Sequence, residues 1–141
     1  MSTPKEDCES LLNAVMPLVQ QMLGQYQEFF PCGATMSSTG EIALAMPPGD
    51  DKDANTDVLL ATLEEGFRKQ AAAGTCRATA VAVDVLMVPP GRTKKQDAVE
   101  VRLNHRDNYS VRVLFPYTLS DAGEPTLEGP ITVEGNGQIF R

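Results

Sequence analysis

The stretch from Asp97 to Tyr117 constrains this chain more than any other. Val99, Val101, Leu103 and His105 alternate with Ala98, Glu100, Arg102 and Asn104, the period of a strand with one apolar and one wet face. After Arg106-Asp107-Asn108 the pattern resumes, with Tyr109, Val111, Val113, Phe115 and Tyr117 on one side and Ser110, Arg112 and Leu114 on the other. Two such runs across a short Asp/Asn corner predict an antiparallel hairpin whose apolar face must be covered.

Two amphipathic helices upstream can supply the cover. Thr3-Pro4-Lys5-Glu6 is a start signal, with an N-cap threonine, proline at the first helical position and glutamate three residues after the cap. From Cys8 through Leu11, Val15, Val19, Met22 and Leu23 to Phe29 and Phe30, apolar residues recur at spacings of three and four. Pro17 interrupts this helix without ending its stripe, and Pro31 marks its stop. A second helix is predicted from Thr56 to Ala73, burying Leu59, Leu60, Leu63, Phe67 and Ala71, with Gly74 as its terminator. Gly66 inside it is expected to admit a close neighbour.

Ala34 to Ser37 and Glu41 to Met46 read as a short hairpin, with Ile42 and Leu44 on one face. Arg77 to Val88 reads as a long strand apolar on both faces, alanines on one and valines on the other, with Asp84 as its only internal charge. Such a strand is covered on both faces. With both helices placed on one side, a second copy of the chain is the expected cover for the alanine side. The resulting fold class is α+β: one domain over residues 1–141, order α-β-β-α-β-β-β, with an antiparallel sheet of five or six strands and two helices on one face.

Several functions are set aside by totals. Apolar residues at 42% and charged residues at 22% are ordinary globular values. The net charge of −7, from 19 acidic and 12 basic residues, disfavours a nucleic-acid partner. Neither a signal-peptide pattern nor a membrane-length apolar run is present, so a cytoplasmic, non-membrane protein is expected. Three cysteines without a CxxC pair, together with a single histidine, give no zinc set. Asp51, Asp53, Asn55 and Asp57 alternate as in a calcium loop, but Thr56 and Thr62 stand where that loop requires glycine and glutamate. They read instead as complements to the start of the second helix. Pro89 to Lys95 holds the basic cluster, read as a solvated hairpin loop, and Thr118 to Pro130 reads as a long acidic connection. Ile131-Thr132-Val133 and Gln138-Ile139-Phe140 read as short terminal strands.

Phe29-Phe30-Pro31-Cys32-Gly33 and Pro116-Tyr117 resemble stretches of small uncharacterised bacterial proteins in which a Phe-Tyr-Pro-Phe-Gly-like motif follows the first helix. That resemblance implies no activity. The element order is similar to profilin-like and roadblock-like folds, whose members mostly bind partners or small ligands.

No catalytic residue, cofactor or metal site is assigned from the residues. The polar groups expected to converge are His105, Arg106, Asp107 and Tyr109 at the hairpin corner, with Tyr117 at its far end; Cys32 is a further ligand-binding candidate, with a nucleophilic pairing to His105 weighed against a plain packed cysteine. The expected function is a non-catalytic protein-interaction module, self-associating, of immunity or regulatory type given its acidity. The alternative is a small-molecule-binding protein or small enzyme using His105 and the hairpin aromatics.

Overall fold

The computed structural model describes residues 3–26, 28–46, 56–135 and 139–140. Asp51, Asp53, Asn55 and Gln138 lie outside them. The architecture is α+β, with two helices and one antiparallel seven-stranded sheet: α1 (Pro4–Tyr26), β1 (Cys32–Ser37), β2 (Ile42–Ala45), α2 (Thr56–Ala72), β3 (Cys76–Met87), β4 (Gln96–His105), β5 (Tyr109–Leu119), β6 (Pro125–Leu127) and β7 (Ile131–Glu134). The strand order is β2-β1-β3-β4-β5-β6, and β7 also pairs with β5.

The central hairpin forms in the register that the alternation dictates, Val101 against Val113 and His105 against Tyr109. Its corner is Arg106 to Asn108, where Asn108 takes the left-handed conformation at φ 65°, one that asparagine tolerates better than most residues. β5 is long enough to hold two partners on its outer edge. β7 pairs with Val111 to Leu114 and β6 with Tyr117 to Leu119. Part of the expected acidic connection is therefore strand, and the sheet exceeds five or six. Ile139 and Phe140 do not extend it; Ile139 packs against Leu63, Phe67 and Val81.

α1 starts as its capping residues dictate, the Glu6 amide donating to Thr3 Oγ1 at 3.1 Å. Leu11, Val15, Val19 and Leu23 are fully buried, each contributing roughly 1.5–3 kcal/mol through burial. They pack on Ala78, Ala80 and Ala82 of β3 and on Val99 and Val101 of β4. α1 ends at Tyr26, and Tyr26 and Phe30 are exposed, so the stripe stops before the last residues that fit its spacing.

The helices lie on opposite faces of the sheet, contrary to the expected placement on one face. Leu63 and Phe67 of α2 pack on Val81, whose side chain alternates with the alanines that face α1. Gly33, paired with Val81, makes room for α2: a Cβ there would collide with the Ala80 carbonyl and lie 3.0 Å from the Phe67 ring. β3 is thus covered on both faces within one chain. Its alanine side is occupied by α1, which removes the reason for placing a second copy there.

A six-strand width is about 24 Å, whereas one helix covers about 10 Å. Each helix therefore leaves part of its face uncovered, and those uncovered parts carry the features of interest. No helix among the described residues is long and apolar enough to cross a membrane.

Candidate functional site

His105 ends β4 with its side chain on the α1 face and is only 4% exposed. Its Nδ1 accepts the Asp107 amide at 3.0 Å. A backbone N–H can only donate, so the ring proton resides on Nε2, which donates to Asp7 Oδ2 at 2.8 Å. The second Asp7 oxygen accepts from Arg77 Nη2 at 3.2 Å, and Arg77 also donates to the Ser38 carbonyl at 3.3 Å. This clasp joins the first turn of α1 to β3 and β4. With both nitrogens engaged and the ring buried, His105 has no free edge to present to a substrate.

Asp107 meets it through this amide and Tyr109 is its cross-strand neighbour, but the remaining expected site residues do not converge on it. Arg106 is exposed in the turn, and its amide donates to the Arg77 carbonyl at 2.9 Å. Cys32 is buried opposite Ala82, whereas His105 lies opposite Ala78. Four residues along β3 and two strand spacings across it separate the pair by about 16 Å, so His105 cannot activate this thiol. Burial pushes the Cys32 thiol up to about 11. Cys8 is pushed up to about 12, by burial first and then by Asp7. Burial likewise raises Cys76, and neutral buried thiols are poor nucleophiles. Among the described residues no group of three His, Cys, Asp or Glu side chains is placed to hold a metal ion.

Tyr117 belongs to a separate pair at the far end of the hairpin, its hydroxyl donating to Asp84 Oδ2 at 2.9 Å. Burial raises the Asp84 carboxyl, the Tyr117 bond lowers it, and Asp97 and Glu28 raise it further. Asp84 Oδ1 is buried without a hydrogen-bond partner. Burial, and then Asp84, make the Tyr117 phenol less acidic than usual.

On the α2 face, the uncovered strands are ionic. Glu100 is buried between Arg102 Nε at 2.6 Å and Arg112 Nη1 at 3.6 Å, and Arg102 reaches Glu64 of α2 at 3.4 Å. Ion pairing of this kind is the ordinary use of a polar sheet face, and the Arg102–Glu64 contact extends it to clamp α2. The basic loop is solvated, with Arg92 held by Glu128 at 2.9 Å.

Two features of the surface were not anticipated. β2 forms one edge of the sheet, and its Ile42 and Leu44 are 42% and 55% exposed. Their alternation signals a strand, but nothing local shows that α1 stops short of it. Beyond the opposite flank of α1 lies a groove of about 420 Å³, floored by Leu103, Val111 and Val113. Tyr109 lines it, and burial is the main reason that its phenol is less acidic than usual, followed by Cys8 and Glu9. Comparison of the chain with protein-family models, curated proteins and solved structures returns no match.

Proposed function

We propose that this chain is a non-catalytic protein-interaction module that self-associates through the outer edge of β2. The observation that carries the reading is the chemistry of that edge. Natural edge strands are guarded by charge, proline, bulges or a cover. Ile42-Ala43-Leu44-Ala45 contains neither charge nor proline, and among the described residues it pairs only with β1. A second copy fits this edge because a two-fold axis at Leu44 sets Leu44 against Leu44 and Ile42 against Met46. These side chains are all exposed in one chain, and they bring no like charges together. The register Gly33↔Ala45 brings the exit of α1, with exposed Phe30, close to the same end of β2.

A four-residue edge buries little area, which places the association in the weak, transient class. Each copy carries −7, and this repulsion is screened by salt while the uncharged strand pair is not. Dimerisation therefore strengthens with ionic strength. The same charge suits a basic protein as the further partner, whose encounter it speeds.

Sedimentation equilibrium between 1 and 200 μM is the test. A monomer–dimer transition that Leu44→Lys abolishes supports the reading. A chain that stays monomeric throughout, at low and high salt, overturns it.

A further inference from the structure

The two uncovered flanks of the sheet differ in chemistry. Past α2, the continuation is ionic: Glu100 is buried between the partly exposed Arg102 and Arg112, whose guanidinium groups water reaches. Past α1, the continuation is apolar: Val113 is buried, and Tyr109, Val111 and Phe115 are partly exposed beside the core. Solvent exposure alone accounts for the first flank but not for the second.

The apolar flank is also concave. Lys5, Glu9 and Leu12 of α1 form one wall, Pro130 and Thr132 form the other, and Tyr109 lines the groove at the hairpin corner. We infer that this groove binds a small, uncharged, largely apolar molecule bearing one hydrogen-bond acceptor. Three observations define that class. The volume of about 420 Å³ lies within the range of small-molecule sites, about 300–1,000 Å³. It is too small for a docked helix, whose diameter alone is about 10 Å. The two charges of the wall, Lys5 and Glu9, lie 3.9 Å apart one helical turn from each other, so they offset each other and leave no net charge to hold an ion. The Tyr109 hydroxyl has no hydrogen-bond partner among the described residues, and a protonated phenol is a donor that pairs with an acceptor on the ligand.

The site does not depend on self-association, because β2 lies at the opposite end of the strand order from β5 and β7. The first probe is N-phenyl-1-naphthylamine, an uncharged apolar dye whose fluorescence rises in apolar surroundings. It binds saturably, one per chain. Val111→Trp, which fills the groove from a partly exposed position, weakens binding at least tenfold, and Leu44→Lys leaves it unchanged. The chain has no tryptophan, so the new indole reports folding in the same sample. Should Val111→Trp not fold, Thr132→Trp obstructs the same groove from an exposed strand position. Tyr109→Phe weakens 1-acetonaphthone, which carries an acceptor, threefold to tenfold, and leaves 1-ethylnaphthalene, which has none, unaffected. Absence of saturable dye binding, or dye binding indifferent to the groove-filling variant that folds, overturns the inference. Loss of binding in Leu44→Lys would place the dye at the strand edge and overturn it equally.

Discussion

His105 donates its Nε2 proton to Asp7 across 2.8 Å, joining residues 98 apart in the chain. Asp7 also accepts from Arg77, so one buried carboxylate serves two donors. Asp7→Ala removes that shared acceptor and should cost about 3 kcal/mol. His105→Ala leaves the Arg77 bond in place and should cost about 2 kcal/mol, through one lost bond to a charged group and a small cavity. Urea unfolding midpoints check both. Dimerisation should persist in His105→Ala, because the clasp serves the fold and lies away from β2. A cost under about 0.5 kcal/mol for Asp7→Ala would show that the clasp does not hold α1 down.

Asp84 predicts a pH dependence. Its carboxyl is raised in the folded chain, chiefly by burial, so between the ordinary carboxyl value and the raised one the folded state binds more protons than the unfolded state. Stability from this group therefore grows as pH falls through the raised value and levels off below the ordinary one. Asp84→Asn keeps an acceptor for Tyr117 and removes the buried charge. It should stabilise the chain at pH 7 by about 1 kcal/mol and flatten this part of the stability profile, read from thermal melts at several pH values. An Asn variant less stable than the parent at pH 7 would contradict the assignment.

Two glycines separate packing from propensity. Gly33→Ala forces a methyl against the Ala80 carbonyl and the Phe67 ring, and should cost about 2–3 kcal/mol by prising α2 from β1. Gly66 was expected to admit a close neighbour, yet a Cβ there meets nothing within 4 Å. Gly66→Ala should then stabilise α2 by about 0.5–1 kcal/mol. Paired chemical denaturation curves decide it, and shifts of the same sign would refute the contrast.

Much of the fold is legible in local pattern because local physics sets it. The Thr3 cap, the α1 stripe and the β4–β5 register follow from spacing alone. The two-sided apolarity of β3 correctly shows that both faces are covered, but it does not name the covers. That depends on Gly33, which gives α2 access to the opposite face and reads locally only as a turn residue. The site residues were harder still. His105 and Tyr109 lie together as the corner implies, yet the partner of His105 is Asp7, which in a first helical turn reads as a complement to the helix dipole. Tyr117 and Cys32 sit elsewhere because position along a strand, not chemical type, decides which side chains meet. The bare β2 edge and the apolar groove arise from the mismatch between sheet width and helix width, a property of the assembled layers.

The most direct test of self-association through β2 is amide hydrogen exchange followed residue by residue as protein concentration rises. If two β2 edges pair, the amides of Ile42 to Ala45 that do not bond to β1 gain protection across the monomer–dimer transition, and Leu44→Lys removes the gain. Unchanged exchange in these amides, with protection appearing elsewhere or nowhere, would contradict pairing at this edge.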